Sequence, residues 1–263
     1  MPIEIIKEPT AVAVETEVTM AKLIKLSASR AKTFEQCPRK YFYNYVEKLP
    51  TKEWDHFELG TYVHAALEIF HGRVKDGSDE PLRKLMGIAS SEAFKQMKDN
   101  NRSLPDELLQ GAKTMLLDYL VQIERNGMPN VLEVEFPFTI PLNEIYDLTG
   151  VIDRIDRDPD GLLHIRDYKT SKSAKYMEPF QLNTYGLLLL DRYPDTTRFR
   201  ASYIMLKLGG QIVPYEFTVE DVAKCRDKLI QYADRITSEE RWRAKPGRLC
   251  DWCDFKEVCF NSW

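Results

Sequence analysis

The segment "GVIDRIDRDPDGLLHIRDYKT", residues 150–170, predicts an antiparallel β-hairpin. Apolar and polar residues alternate over about 148–157 and again over 162–169, a pattern typical of strands. Between them lies "DPDG", 158–161, with proline second and glycine fourth, as in a type I turn. Folding the chain at this turn brings Asp153 opposite Asp167, to within one residue of register.

Two carboxylates and an amine lie where the second strand of this hairpin ends. Leu163 and Ile165 predict a buried face for that strand. Asp167 and Lys169 continue the same face, because every second side chain of a strand points the same way. Like charges that oppose each other across a ladder destabilise it. Asp153 and Asp167 therefore need a cation between them, which Lys169 supplies in part and Mg²⁺ would supply more fully.

The other charges of the hairpin are expected on an exposed surface, namely Asp156, Arg157, Asp158 and Asp160. The Asp-x-Lys spacing alone is a weak signal, since it recurs at Asp254 and Lys256 among cysteines and without a buried strand. The signal is the combination of this spacing with the hairpin and the opposed carboxylate.

The composition predicts one large globular domain over residues 23–263, preceded by a flexible N-terminal arm over 1–22. The chain has 263 residues, 43% of them hydrophobic, and a net charge of −4. A protein with this charge binds nucleic acid only if its positive residues are focused in a groove. No apolar run is long enough to span a bilayer, and the N-terminus lacks the pattern of a signal peptide. We therefore expect a cytoplasmic protein whose five cysteines are thiols or metal ligands.

Helices precede and flank the predicted strands, which indicates an α/β fold with a mixed sheet. A first helix is expected from Ser27 or Ser29 to about Glu47, with a kink at Pro38. "SLPD", 103–106, resembles a capping box at a helix start, and "TVED", 218–221, caps a later helix. The expected helices cover 57–75, 80–99, 103–125, 177–193 and 219–240, and the strands cover 131–140, 148–157, 162–169, 200–207 and 212–217.

Three cysteines near the C-terminus have the spacing of metal ligands. "CDWCDFKEVC" contains Cys250, Cys253 and Cys259, and its C-x2-C pair is a strong metal signature. Four thiolates are the usual complement for either structural zinc or an iron–sulfur cluster. The fourth thiolate is Cys37 or Cys225, and Cys225 lies inside a predicted helix as an ordinary small side chain.

Four motifs in order along the chain resemble the PD-(D/E)XK nuclease superfamily, specifically its RecB-like iron–sulfur branch. That branch includes the CRISPR-associated exonucleases and the AddB-type helicase–nuclease subunits. The motifs are "GTYVHAAL" with His64, "GVID" with Asp153, "IRDYKT" with Asp167 and Lys169, and "QLNTY" with Gln181 and Tyr185. The resemblance implies a restriction-endonuclease-like fold, with a mixed central sheet flanked by helices. No helicase motif is present, which favours a free-standing nuclease.

The resemblance also implies roles for these residues. His64, Asp153 and Asp167 would bind Mg²⁺ or Mn²⁺, with the carbonyl of Tyr168 as a further ligand. Lys169 would orient the attacking water or stabilise developing charge. The remaining implied roles are positioning of DNA or water by Gln181 and Tyr185, and contact with a second metal ion by Glu135.

A distant cysteine followed by a terminal C-x2-C-x5-C is the pattern of the iron–sulfur nucleases. The resemblance therefore favours a 4Fe–4S cluster held by Cys37, Cys250, Cys253 and Cys259, with zinc as the alternative. Such a cluster would close the C-terminal segment onto the first helix.

Basic and aromatic residues around Cys37 suit a single strand of nucleic acid, since amines contact phosphates and rings stack on bases. The expected DNA contacts are Arg39, Lys40, Lys172 and Lys175. The expected function is a metal-dependent DNA exonuclease that prefers single strands or free ends, acting in recombination, repair or processing. Two alternatives remain: a cluster-stabilised DNA-binding module without activity, and a subunit that works only with a helicase, recombination or CRISPR partner.

Overall fold

A computed structural model of the chain describes residues 24–52, 55–175 and 177–260. The expected N-terminal arm, 1–22, lies outside the described residues. The helices are α1 (Ala28–Gln36), α2 (Pro38–Tyr41), α3 (Asp55–Lys75), α4 (Leu82–Asp99), α5 (Asp106–Asn126), α6 (Phe180–Arg192), α7 (Val219–Thr237) and α8 (Lys256–Phe260). The strands are β1 (Ile24–Leu26), β2 (Asn130–Pro141), β3 (Tyr146–Arg157), β4 (Leu163–Lys169), β5 (Arg198–Met205) and β6 (Gln211–Thr218).

The six strands form one mixed sheet in the order β1-β3-β4-β5-β6, with β2 also paired to β3. The β1–β3 and β4–β5 pairs are parallel, and the others are antiparallel. This confirms the expected α/β class with a mixed central sheet flanked by helices. The sequence prediction missed β1, because three residues are too few for an alternating pattern.

The predicted hairpin is present. β3 and β4 pair with Arg154 opposite Arg166 and Ile155 opposite Ile165. The ladder ends at Arg154 and Arg166, and Asp153 and Asp167 are the next residues of the two strands. The turn is closed by the amide of Gly161, which donates to the carbonyl of Asp158 at 2.8 Å.

The sheet separates two hydrophobic cores, since successive side chains of a strand point to opposite faces. One core lies against α3, α4 and α5 and includes Tyr168 and Ile204 from the strands. The other lies against α1, α6 and α7 and includes Ile165 and Tyr203. The carboxyl end of β4 is therefore within reach of helices from both outer layers.

The first helix differs from its predicted form. α1 begins after Ser27, whose hydroxyl accepts from the amide of Arg30 at 3.2 Å, as expected of a cap. It ends at Gln36, and Cys37 is extended, with φ −162°. Proline disfavours the helical conformation in the residue before it, so Pro38 starts a new helix and does not kink the old one. Cys37 consequently lies at a break between two helices.

The capping predictions have mixed outcomes. Thr218 and Asp221 form the expected capping box at the start of α7. The predicted box at 103–106 is absent, because α5 begins at Asp106, directly after Pro105, without a side-chain cap. Among the described helices, none combines the length and apolar character needed to cross a bilayer.

The prediction that all of the remaining hairpin charges are exposed was wrong. Asp156 is 1% exposed and binds Arg154 and Arg166, and Asp158 is half-buried against His164. A central strand covered on both faces excludes water, so its charges must pair with one another. Of the four charges expected on the surface, only Arg157 and Asp160 are exposed.

Candidate active site

The ends of β3 and β4 bring the predicted acidic residues and lysine together. Asp153 is 9% exposed and accepts a hydrogen bond from the amide of Tyr168 at 2.7 Å. Asp167 is 1% exposed, and its Oδ2 lies 2.5 Å from the Nζ of Lys169. That ion pair lacks hydrogen-bond geometry, so Oδ2 of Asp167 is a buried oxygen without a hydrogen bond. The ammonium of Lys169 is the cation that faces this oxygen.

His64 reaches this edge from α3. Its Nε2 lies 3.2 Å from the carbonyl oxygen of Tyr168, and its Nδ1 lies 3.5 Å from Asp153 and 3.6 Å from Glu135. A carbonyl oxygen can only accept, so Nε2 is the nitrogen that carries a proton toward Tyr168. Nδ1 therefore faces the two carboxylates, and in the neutral ring it presents a lone pair there.

Glu135 joins this group from β2. One ligand atom from each of His64, Glu135 and Asp153 lies within 4.8 Å of the others. Glu135 has φ +40°, a strained conformation for a residue with a side chain. It faces Asp153 across the β2–β3 ladder, because Val134 and Phe136 pair with the residues on either side of Asp153. The sequence analysis expected Glu135 to contact a second metal ion, and in the structure its carboxylate lies in one group with His64 and Asp153.

The charge balance of the group favours a bound cation. Burial and the nearby Asp167 carboxylate raise the pKa of Asp153 above its ordinary value. Burial lowers the pKa of His64, but the carboxylates of Glu135 and Asp153 outweigh burial and raise that pKa to about 9. Without another cation, the imidazolium must balance these carboxylates. A divalent metal ion would take over that role and bind oxygen and imidazole nitrogen, the donors present here.

The predicted Gln181 and Tyr185 approach from the opposite layer, one turn apart on α6. The amide nitrogen of Gln181 donates to Asp167 at 3.1 Å and to the hydroxyl of Tyr185 at 2.8 Å. Its oxygen accepts from the Nζ of Lys169 at 3.3 Å. Gln181 therefore connects the acid and the amine and fixes the position of both.

A buried arginine supports the site from behind and was missed in the sequence. Arg154 is 3% exposed and donates to the hydroxyl of Tyr168 at 2.6 Å and to Asp156 at 2.8 Å. The backbone of Tyr168 contacts both Asp153 and His64. The arginine thus holds the residue that orients two members of the site.

Comparison with known families agrees with this geometry. Residues 25–260, which contain every residue of the site, match the family model of the PD-(D/E)XK nuclease superfamily. The chain belongs to this superfamily. Membership confirms the predicted resemblance to this superfamily.

Curated relatives of this PD-(D/E)XK protein are longer helicase–nuclease subunits. It is 26% identical over 246 residues to an ATP-dependent helicase/deoxyribonuclease subunit of Streptococcus mutans, covering 86% of this chain and 22% of the relative. The Streptococcus agalactiae serotype Ia protein of the same name is 29% identical over 175 residues, covering 62% of this chain and 16% of the relative. The chain spans about a fifth of the length of these relatives.

One solved structure, named "Putative exonuclease" from Eubacterium rectale, has the same fold. It superposes with a TM-score of 0.54 at 13% identity and covers 93% of each chain.

The PD-(D/E)XK domain also brings four cysteines to one cavity of about 480 Å³, between the α1–α2 break and the C-terminal segment. These four are Cys37, Cys250, Cys253 and Cys259. Backbone amides of Lys245 and Gly247 donate to the sulfurs of Cys37 and Cys250, each at 3.4 Å. Cys225 is buried elsewhere, 3.6 Å from the hydroxyl of Thr184, so it is an ordinary core residue. Lys256, of the second Asp-x-Lys, pairs with Asp251 in this segment.

The four basic residues predicted to contact DNA fall into two places. Arg39 and Lys40 line the cysteine cavity, whereas Lys172 and Lys175 are exposed in the loop between β4 and α6. Two of the neighbouring tyrosines, Tyr41 and Tyr43, are 5% and 4% exposed and belong to the core. Their rings are therefore not free to stack on bases.

Proposed function

We propose that this protein is a Mg²⁺- or Mn²⁺-dependent DNA exonuclease that hydrolyses phosphodiester bonds in single strands or at free ends. The observation that carries the proposal is the group of half-buried His64 and Glu135 with buried Asp153, beside the Asp167–Lys169 pair. This combination suits a metal-dependent nuclease, because the carboxylates would bind the ion and the amine would face the phosphate.

His64, Glu135 and Asp153 would hold the ion, with Asp167 next to them. The bound ion would lower the pKa of a water molecule and balance charge on the scissile phosphate. The protein itself orients the groups that would bind the ion. The amide of Tyr168 orients Asp153, and the carbonyl of Tyr168 fixes the tautomer of His64.

Lys169 acts on the reacting groups. Its ammonium lies between Asp167 and Gln181, is about a quarter exposed, and can contact a phosphate oxygen or the attacking water. Such a preplaced charge stabilises the negative charge that develops in the transition state. Gln181, itself held by Tyr185, keeps the amine in place.

The substrate and partners are proposed from the relatives. Proteins named as deoxyribonuclease subunits favour DNA, and their helicase name favours a helicase partner in recombination or repair. The exposed Lys172 and Lys175 adjoin the site and would contact phosphates. A CRISPR complex is the other partner that the resemblance suggests. We further propose that residues 23–263 form a single nuclease domain.

The cysteine cavity is proposed to hold a 4Fe–4S cluster that fastens the C-terminal segment to the α1–α2 break. Zinc bonds of about 2.3 Å would hold four thiolates within about 4 Å of one another. Among the described residues, no three cysteine sulfurs lie within 4.8 Å of one another. The wider spacing and the size of the cavity favour the larger cluster.

Digestion of end-labelled linear single strands, circular single strands and covalently closed duplex with Mg²⁺ or Mn²⁺ tests the nuclease function. We expect mononucleotides or short products from the linear strand and resistance of covalently closed duplex. Asp153→Asn should reduce cleavage to background without unfolding the protein, whereas Asp254→Asn, in the second Asp-x-Lys, should keep it. Normal cleavage by Asp153→Asn at saturating Mn²⁺ would exclude this active site.

Iron and acid-labile sulfide content tests the cluster in anaerobically purified protein. Cys37→Ala should lose both and melt well below the parent, while Cys225→Ala should keep both. Stoichiometric zinc without sulfide would overturn the cluster assignment.

A further inference from the structure

A second cavity opens beside the catalytic lysine, on the opposite side of Lys169 from the metal-binding group. It has a volume of about 380 Å³ and lies between α1, the start of α6, and α7. Lys169 and Gln181 are part of its wall, so it is continuous with the proposed reaction centre. Its volume is within the range of roughly 300–1,000 Å³ that is usual for small-ligand pockets.

Aromatic rings form the walls of this cavity. Phe180 and Tyr232 meet edge to face with their centroids 6.0 Å apart, and both are half-buried. Tyr203 forms a fixed floor, since it is 2% exposed and its hydroxyl donates to the carbonyl of Glu178 at 2.8 Å. The cavity thus offers ring surface on which a flat group can stack.

Ammonium groups lie at the same rings. The Nζ of Lys228 is 4.9 Å from the centroid of Phe180 and 5.9 Å from that of Tyr232. Lys32 is exposed at the rim. Within the part of the chain that the structure describes, neither lysine has an ion pair with a carboxylate.

The carboxylates of the cavity do not cancel these amines. Glu35 is paired with Arg235, whose Nη1 lies 3.2 Å from its Oε2. Glu178 is exposed at the other end. Lys169 is likewise paired with Asp167. Two lysines without an ion pair, Lys32 and Lys228, therefore face one such carboxylate, Glu178, among the described residues of the cavity. The positive charge is concentrated where the rings are.

We propose that this cavity, the α6–α7 pocket, binds the nucleotide next to the scissile phosphate of a single strand. The base packs between Phe180 and Tyr232, stacking on one ring and meeting the edge of the other, because the two rings are inclined at 66°. The adjoining phosphate contacts Lys32 and Lys228. Rings with adjacent amines are the means by which proteins bind unpaired nucleotides without reading sequence. A paired base cannot enter such a pocket, so the pocket explains a preference for single strands. The inference rests on the proposed nuclease function and names how its substrate is held.

Binding of single-stranded oligonucleotides in Ca²⁺ tests the pocket without relying on cleavage. Phe180→Ala and Tyr232→Ala should each weaken binding by roughly 5- to 150-fold, the range expected for loss of one base–ring stack. An oligonucleotide that carries 2-aminopurine should be quenched on binding to the parent and less so on binding to either variant. Tyr232→Phe should restore both, because it keeps the ring.

Lys228→Gln gives a second readout that does not disturb the core. Loss of one phosphate contact should reduce the slope of log affinity against log salt by roughly 0.7 for a single strand. The matched control is the Lys98–Phe94 pair on α4, a helix that packs on the other face of the sheet. In this pair the Nζ of Lys98 lies 4.5 Å from the ring centroid of Phe94. Phe94→Ala and Lys98→Gln should leave affinity, quenching and salt slope unchanged.

The outcomes separate the pocket from the nuclease function. If the parent cleaves DNA but Phe180→Ala and Tyr232→Ala bind like Phe94→Ala, the pocket is wrong and the function stands. If the parent binds and quenches as described but no metal supports cleavage, the proposed function fails and the pocket stands.

Discussion

Gly186 of α6 lies so close to the sheet that adding one methyl group should destabilise the protein. A Cβ at this position would lie 2.4 Å from Cζ of Phe199 and 2.8 Å from Cγ2 of Val222. Ordinary carbon contacts begin near 3.4 Å, so helix and ring must separate by about 1 Å. All three residues are buried in the core, where neighbours have little room to yield.

The expected net loss for Gly186→Ala is about 1–2 kcal/mol. Overpacking of a core costs about 1–3 kcal/mol, and the better helix propensity of alanine returns up to about 1 kcal/mol. For a chain of this size the melting temperature should fall by roughly 2–8 °C. Gly111→Ala on α5 is the control, since a Cβ there meets nothing within 4 Å. It should raise the melting temperature by roughly 2–4 °C.

The same displacement should reduce activity, because α6 carries Gln181 and Tyr185. Gln181 contacts Asp167 at 3.1 Å, and a shift of about 1 Å at a site that positions reacting groups can cost about 100-fold in rate. Thermal unfolding and single-turnover cleavage of both glycine variants give the comparison. If Gly186→Ala melts at or above the parent temperature, the close contact between α6 and the sheet does not exist.

Four further perturbations probe the site and its support. Glu135→Gln should raise the Mn²⁺ concentration for half-maximal cleavage roughly tenfold or more, while the control Glu133→Gln should leave it unchanged. If a metal titration gives both variants the same half-maximal concentration, Glu135 is not a metal ligand. Lys169→Ala should slow single-turnover cleavage by roughly 100-fold or more at saturating Mn²⁺, and full rescue by excess metal would show that the lysine acts through the ion. Burial, together with a neighbouring arginine, lowers the pKa of His164 to about 4. The imidazole of His164 therefore binds a proton more tightly in the unfolded chain than in the folded one. The free energy of unfolding should fall by up to about 3 kcal/mol as the pH drops from about 6.5 to 4. His164→Gln should remove this pH dependence from the melting temperature over the same range. Arg154→Met should lose about 3–5 kcal/mol in urea unfolding, because it leaves a buried carboxylate without its closest partner; a loss below about 1 kcal/mol would show that the buried pair is not formed.

Local patterns in the sequence were sufficient to predict much of the sheet and part of the site. The alternation of side chains and the turn at 158–161 fix the β3–β4 register, and that register brings Asp153 and Asp167 to the same end of the ladder. The proline after Cys37 marked a disturbance of the first helix, although the chain breaks there and does not bend. These features depend on residues close together in the chain, so the sequence contains them directly.

Only the tertiary structure decided which distant residues join the hairpin. Glu135 enters the metal group through the β2–β3 ladder and a strained backbone, neither of which is visible in a pattern of residue types. Asp156 is buried because helices cover both faces of the strand, a property of packing and not of the strand itself. The α6–α7 pocket brings together residues of α1, α6 and α7, which are far apart in the chain, with Lys169 of β4 and Tyr203 of β5. The periodicity of a sequence shows which face of a helix or strand is apolar. Which other helix or strand packs against that face depends on the fold of the whole chain.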